Sequence, residues 1–198
     1  MSPCAPRWWA AAFVVRGLCF NHVTADYETF LSVWVEYFRN NGGFAALAEP
    51  IGNYNVPYMY FLAAFSYIGI DDLYLIKLLS VFFDIVLAYA AMSLAGLYTT
   101  SRVKRLAAFF GVLFLPTVVL NGAYWGQCDS IYAAFAVLGI YFALSGRPSA
   151  GMACIAVSFA FKLQAVFIMP VFVVLLLSGH VKIQHFFIFP AVYIALML

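Results

Sequence analysis

Charged residues are scarce in this sequence. Only 9% of its 198 residues are Asp, Glu, Lys or Arg, and 66% are hydrophobic, whereas a soluble domain carries about a quarter charged residues. This composition excludes an ordinary water-soluble globular domain. The net charge of +2 is small and dispersed, so it also excludes a basic track for a phosphate backbone, and we expect no nucleic-acid partner.

The sequence also lacks the spacings that hold metal ions. No C-x-x-C pair occurs among the scattered cysteines, which are Cys4, Cys19, Cys128 and Cys154. Neither a zinc site nor a disulfide framework is indicated, and we predict free thiols. No D-x-D pair occurs either, and the nearest spacing is Asp26-x-Glu28. We therefore predict no essential metal and no cofactor.

Long apolar segments stand where charge is missing. Windows of about 17 to 25 residues carry almost no ionisable side chain, which is the length that a helix needs to cross a hydrocarbon core of about 30 Å. Apolar residues follow one another without alternation, so helices are favoured over strands. We predict an all-α, polytopic transmembrane bundle of about seven spans at residues 6–20, 73–97, 106–120, 130–144, 150–161, 165–177 and from about 185.

The basic residues predict how these spans are oriented. With a cytoplasmic N-terminus and a retained first helix, six of the ten Lys and Arg residues fall on the inner side, as expected for cytoplasmic loops: Arg7, Arg102, Lys104, Arg105, Arg147 and Lys182. Residues 21–72 then form a long outer loop, rich in aromatics such as Trp34 and Tyr37, in which we expect short interfacial helices. We predict a multi-pass plasma-membrane protein with its polar site on the extracytoplasmic side.

Two outer segments carry the residues best suited to chemistry. A carboxylate in a partly dry pocket, such as Asp26 after the first span, can take the proton of an attacking hydroxyl; alternatively, it caps the next helix. Residues 121–130 place Trp125, Gln127 and Asp129 in one short loop. Amides, a carboxylate and an indole can bind a sugar ring, whereas the alternative is a polar loop in which Asp129 is a helix cap.

Four ionisable residues lie within or beside the apolar spans. Lys162, at an outer helix end, either meets an anionic lipid phosphate or snorkels to the interface, and Arg16 has the same two alternatives. Lys77 and Asp84 are seven residues apart, too far along one helix for a direct pair. We expect each to find its partner on another segment, with either a functional role or a helix-to-helix tie for Asp84.

Several segments of this chain occur in an order that is typical of one family. They are residues 25–30 with Trp34, 52–58, 75–77 with Asp84, 115–117, 121–131 and 161–164. In this order they resemble the bacterial membrane mannosyltransferase-like proteins related to the second mannosyltransferase of glycosylphosphatidylinositol synthesis, in the GT-C class of glycosyltransferases. The resemblance covers nearly the whole chain. Its most specific parts are Trp-Gly-Gln-Cys-Asp and Phe-Lys-Leu-Gln.

The resemblance implies one membrane-embedded GT-C-like module over residues 1–198, with further helices beyond it. It implies that Asp26 is the catalytic base for inverting transfer of a hexose, mannose on this resemblance, from a polyprenyl-phosphate donor to a glycan, lipid or protein acceptor. The substrate-binding residues would be Arg16, Glu28, Tyr54, Trp125, Gln127, Asp129, Lys162 and Gln164. Two other classes stay open: a transporter or flippase of lipid-linked sugars, and a structural subunit of an envelope complex.

Overall fold

The computed structural model describes residues 5–198, which are helical in most of their length and contain no strand. This confirms the all-α prediction. Short π-helical or 3₁₀ turns precede or follow several of the helices, among them Tyr27–Leu31, Leu120–Trp125 and Leu163–Ile168. The α-helices are α1 Ala5–Gly17, α2 Ser32–Asn40, α3 Val56–Phe65, α4 Asp72–Ala95, α5 Arg102–Leu113, α6 Pro116–Val119, α7 Asp129–Leu144, α8 Pro148–Phe161, α9 Met169–Leu177 and α10 Ile188–Met197.

Every predicted span contains a helix, but most of these helices are short. Among the described helices, α4 with 24 residues is the one that is long and apolar enough to cross a membrane alone. The bent pair Arg102–Leu113 and Pro116–Trp125, with 47° between its parts, counts as a second span if taken as one. A helix like α7, with 16 residues, rises about 24 Å. The seven-span bundle therefore stays a prediction.

Local sequence explains where the helices begin and end. The carboxylate of Asp71 accepts a hydrogen bond of 2.9 Å from the backbone N–H of Leu73 and so caps α4. Proline stands in the first turn of α3, α6, α8 and α9, where its missing N–H costs nothing. Gly146 follows α7 with a φ of 81°, a left-handed conformation that suits glycine and reverses the chain toward α8.

The helices of residues 21–72 form part of the largest hydrophobic cluster. Val35 and Phe38 of α2 and Leu62 and Ala63 of α3 are fully buried in it. They share the cluster with residues of α4, α7 and α8, which are Ile76, Ile131 and Phe161. The predicted short helices in this segment are confirmed. That they lie along a membrane surface stays a prediction, and the structure adds that they pack as one wall of the core.

The helix directions separate acidic and basic residues. α1 runs antiparallel to α4, since Arg16 bonds Asp84 while Ala12 packs in one cluster with Ala88. α7 runs parallel to α4, and α8 returns against it. The polar end of the bundle therefore holds the beginnings of α4 and α7, and the opposite, basic end holds the turns around Arg102 and Arg147.

A buried ion pair ties α1 to α4. The guanidinium Nη2 of Arg16 lies 3.0 Å from Asp84 Oδ2, and these side chains are 2% and 0% exposed. Ser130 Oγ donates to Asp84 Oδ1 at 2.5 Å, and Arg16 also donates to the carbonyl oxygen of Leu113 at 2.9 Å. Arg16 therefore does not snorkel, and because its charge is matched inside the bundle, we remove it from the phosphate contacts predicted from the sequence.

Lys77 also finds its partners outside its own helix. Its Nζ donates to the carbonyl oxygens of Cys19 and His22, each at 2.7 Å. These carbonyls follow the end of α1, where backbone acceptors have no intrahelical donor. The expectation that Lys77 and Asp84 each bind another segment is confirmed, and for Asp84 the structure shows the helix-to-helix tie.

Gly122 is required by the buried ion pair. A Cβ at this position would lie 2.8 Å from Asp84 Oδ2. We expect Gly122→Ala to lower the free energy of unfolding by about 1–3 kcal/mol, because the carboxylate must shift from Arg16 and Ser130. Thermal unfolding in detergent measures this effect.

The matched control is Gly111→Ala on α5, where an added Cβ meets nothing within 4 Å. Because alanine favours a helix over glycine by about 1 kcal/mol, this variant should be neutral or slightly stabilised. Equal unfolding temperatures for the two variants would contradict the packing argument.

Candidate functional site

Side chains from both outer segments meet at Gln127. Tyr54 Oη donates to Gln127 Oε1 at 2.7 Å, and Gln127 Nε2 donates to Asp26 Oδ2. Because an amide has one donor end and one acceptor end, the bond from Tyr54 turns the donor end toward Asp26. Burial raises the pKa of Tyr54, so its phenol stays protonated and continues to donate. Gln127 thus links Asp26, near the start of residues 21–72, to Tyr54 in their later part.

The backbone around Gln127 is held in place by α4. Gly126, with a φ of 76°, turns the chain out of the π-helical segment in a conformation that suits glycine. The N–H of Gln127 then donates to the carbonyl of Asn121 at 3.0 Å. The carbonyl of Gln127 accepts from Ser80 Oγ at 2.9 Å. These bonds fix the loop, and with it the direction of the Gln127 side chain.

Asp26 is not a helix cap, so the capping alternative is wrong. Its side chain makes no capping bond, and the cap is Thr24, whose Oγ1 accepts from the backbone N–H of Tyr27 at 3.4 Å. Asp26 is half-buried, and within the described residues no cation pairs with it. A carboxylate held by a neutral amide keeps one oxygen available for a proton.

Asp129 and Lys162 form the second polar contact of the site. Lys162 Nζ bonds Asp129 Oδ1, and Asn121 Nδ2 donates to Asp129 Oδ2 at 2.9 Å. Asp129 makes these bonds instead of capping α7, so the capping alternative is wrong here as well. Lys162 Nζ also lies 5.9 Å from the ring centre of Tyr132, within cation–π range.

Asp129 stabilises the protonated form of Lys162. Burial lowers the pKa of Lys162, but its hydrogen bond to Asp129 and the charge of that carboxylate raise it by more, so the pKa lies above its ordinary value. Lys162 is therefore cationic at neutral pH. Its side chain is 22% exposed, so the charge is accessible to an anionic ligand.

Lys162 lines an open cleft of about 510 Å³, which we call the Lys162 cleft. Its polar lining comes from two segments and consists of Asn53, Tyr54, Asn55, Lys162 and Gln164. The Nδ2 of Asn55 is buried and has no hydrogen-bond partner in the described part of the chain. The rest of the lining is apolar and includes exposed side chains, with Phe167 82% exposed. The cleft thus joins cationic and amide donors to an apolar surface.

The remaining predicted residues lie at the edges of this arrangement. Gln164 is exposed and lines the Lys162 cleft. The ring of Trp125 is 48% exposed, and its carbonyl accepts from Thr24 Oγ1 at 3.4 Å. Glu28 is exposed, and its carboxylate makes no hydrogen bond to residues 5–198. The structure therefore connects Asp26, Tyr54 and Gln127 with the cleft but leaves Glu28 apart.

The structure also shows the state of the cysteines and the positions of residues that could bind a metal ion. Cys19, Cys128 and Cys154 are free thiols, which confirms the prediction for these three, and Cys4 lies outside the described residues. Burial raises the pKa of Cys128 to about 12, so this thiol beside the site is not a thiolate nucleophile. No group of three acids, histidines or cysteines among the described residues is placed to hold a metal ion.

No family model, no curated protein and no solved structure matches this chain. The resemblance to GT-C mannosyltransferases therefore stays a prediction, and the function has to be argued from the arrangement of the site.

Proposed function

We propose that this chain is a multi-pass membrane glycosyltransferase of the GT-C type, which transfers a hexose from a polyprenyl-phosphate donor to an acceptor hydroxyl on the extracytoplasmic side. The observation that carries the proposal is the pairing of two opposite features. One is a carboxylate, Asp26, oriented by neutral partners and not matched by a cation among residues 5–198. The other is the Lys162 cleft, which combines a cation with exposed apolar side chains.

The Lys162 cleft suits a phosphate joined to a lipid chain. Lys162 supplies a charge that a phosphate can meet, and Asn55 in the same lining has a buried Nδ2 donor without a partner among the described residues. Leu163, Val166 and Phe167 are exposed beside them on one short 3₁₀ segment, where they can cover part of a prenyl chain. A soluble nucleotide-sugar would make no use of this apolar surface.

The reaction then needs one base and one place for negative charge. Asp26 takes the proton of the acceptor hydroxyl as its oxygen bonds to the anomeric carbon. The bond between that carbon and the phosphate oxygen breaks, and its electron pair stays on the phosphate, whose charge Lys162 meets. The leaving group needs no proton, so one carboxylate suffices. Attack opposite the leaving phosphate inverts the anomeric centre.

The charge arrangement of the bundle supports the proposed membrane orientation. Asp26, Gln127, Asp129 and Lys162 lie at the polar end, whereas the turns around Arg102 and Arg147 lie at the other. An excess of Lys and Arg on cytoplasmic loops would then place the basic end inside and the site outside. This arrangement agrees with a donor and acceptor that meet at the outer face of the plasma membrane.

The proposed function is tested by hexose transfer in membranes. Vesicles that contain the full chain are supplied with radiolabelled mannosyl-phosphoryl polyprenol, and label is followed in lipid, glycan and protein fractions. We expect label in one of these fractions to exceed that of vesicles without the chain. Donor that crosses the bilayer unchanged, with no labelled product, would overturn the enzyme assignment and favour a transporter of lipid-linked sugars.

A further inference from the structure

A second cleft lies on the other side of Asp129. Its volume is about 190 Å³, and we call it the Asn121 cleft. Its polar lining comes from α6, the π-helical segment after it and the start of α7, and consists of Thr117, Asn121, Asp129, Ser130 and Tyr132. At about 30 Å³ for each water molecule in the liquid, this space holds roughly six waters, which is about the size of one monosaccharide ring.

Asn121, one of the residues that line this cleft, carries an acceptor that has no donor. Asn121 Nδ2 is fixed by its bond to Asp129 Oδ2, which directs Oδ1 of the same amide to the opposite side. This Oδ1 is buried, and no described residue donates to it. A buried carbonyl oxygen without a partner raises the free energy of the folded chain by about 1–3 kcal/mol. A ligand hydroxyl that donates to this oxygen would remove that cost and so bind more tightly.

The two clefts have complementary chemistry. The Lys162 cleft presents donors, Lys162 Nζ and Asn55 Nδ2, which suit an anion. The Asn121 cleft is lined by no described lysine or arginine, and its lining residues Asn121 and Asp129 carry acceptor oxygens. Because Lys162 already neutralises Asp129, the second cleft does not favour a cation. A neutral ligand rich in hydroxyl groups fits it best.

We propose that the Asn121 cleft is a sugar-binding subsite, in which Asn121 Oδ1 and the Thr117 hydroxyl hydrogen-bond a hexose ring, separate from the phosphate site of the Lys162 cleft. The Asp129–Lys162 pair joins the two clefts, since each residue lines one of them. The proposal rests on the proposed function in taking the hydroxylated ligand to be a sugar. Asn121 begins the segment that the sequence suggested for sugar binding, whereas Thr117 was not among the predicted site residues.

Two probes separate the subsites. Purified full chain in lipid nanodiscs is titrated with methyl α-D-mannopyranoside, which has a ring but no charge, and with farnesyl phosphate, which has a charge and a prenyl chain but no ring. Saturation-transfer NMR measures the dissociation constant of each. We expect Asn121→Leu and Thr117→Val to weaken mannoside binding about three- to tenfold, the effect of one lost hydrogen bond, with farnesyl phosphate binding unchanged.

Two control variants complete the comparison. Thr100→Val removes the hydroxyl of an exposed threonine at the basic end and should change neither dissociation constant. Lys162→Gln should weaken farnesyl phosphate binding more than mannoside binding, because Lys162 reaches the Asn121 cleft only through Asp129. Thr117→Val keeps the size of an exposed side chain, so this variant should fold and tests the subsite even if Asn121→Leu does not fold.

Three outcomes would overturn the subsite: no mannoside binding by the unaltered chain, mannoside binding unchanged in both variants, or equal loss of both probes. These outcomes are independent of the transfer assay. If the chain transfers hexose but Asn121→Leu does not change mannoside binding, the subsite is overturned and the enzyme assignment stands. Mannoside binding that depends on Asn121, without transfer of any hexose, would overturn the enzyme assignment alone.

A third probe identifies which sugar occupies the subsite. Mannosyl-phosphoryl citronellol carries the ring and the phosphate in one molecule. If the subsite holds the donor's hexose, this probe displaces methyl mannoside, and Asn121→Leu weakens it. If the subsite holds the acceptor's sugar, both ligands bind together. Either result supports a sugar subsite. If neither Asn121→Leu nor methyl mannoside changes the binding of this probe, the subsite does not hold the donor's hexose and is assigned to the acceptor's sugar.

Discussion

Replacing Asp26 with Asn is expected to lower hexose transfer by about 10²- to 10⁴-fold, which is the usual contribution of a positioned general base. Asparagine keeps the shape of the side chain and still offers an oxygen to Gln127 Nε2, so the hydrogen bond that orients the residue can persist. What it loses is the ability to take a proton at neutral pH. Initial rates with radiolabelled donor, at equal protein abundance, measure the loss.

The control for Asp26→Asn is Glu36→Gln. Glu36 is an exposed acid of α2 in the same outer segment, and its loss removes one negative charge without touching the site. We expect its transfer rate to stay within about twofold of the unaltered chain, since an exposed charge acts weakly through water. Transfer that survives Asp26→Asn at full rate would contradict the assignment of the base.

Replacing Arg16 with Met is expected to destabilise the bundle by about 3–5 kcal/mol, because it leaves the Asp84 carboxylate buried without its counter-charge. For a chain of this size, that corresponds to a fall of roughly 10 °C in the midpoint of thermal unfolding. Ser130 alone would then hydrogen-bond the carboxylate. Thermal unfolding of the purified chain in detergent, followed by tryptophan fluorescence, measures the change.

Two companion variants separate the buried pair from ordinary charge effects. Arg39→Met breaks the exposed pair between Arg39 and Asp72, where the arginine is 43% exposed, and should cost at most about 1 kcal/mol. The double change Arg16→Met with Asp84→Leu should be more stable than Arg16→Met alone, because no buried charge is left unpaired. Equal effects of Arg16→Met and Arg39→Met would contradict a structural role for the buried pair.

The helices were largely predictable from the sequence because they depend on local patterns. Apolar runs with few charges predicted α1, α4, α5 and α7 to α10, and helix-start signals such as Asp71 and Pro148 explain their bounds. The helix lengths were less predictable. Pro116 follows the end of α5 and Pro148 begins α8, and both helices are shorter than a full crossing. The number of spans therefore did not follow from hydropathy alone.

The site was predictable in part. Asp26, Gln127, Asp129 and Lys162 were chosen because acids, amides and a lysine are unusual in so apolar a chain, and the structure brings them to the polar end. Asn55 and Asn121 lie within the same segments but were not among the predicted substrate-binding residues. The signal that distinguishes them is a buried amide atom without a partner, which no residue type reveals by itself.

The sequence by itself determined the helical class, the position of most helices and the segregation of basic residues, since each follows from composition or from neighbours within a few turns. The tertiary structure alone decided which charges meet. Arg16 was predicted to bind phosphate or snorkel, yet it pairs with Asp84, 68 residues away, and Gln127 reaches Asp26 across 101 residues. Such contacts depend on how helices pack, because residues far apart in sequence become neighbours only when the core has formed.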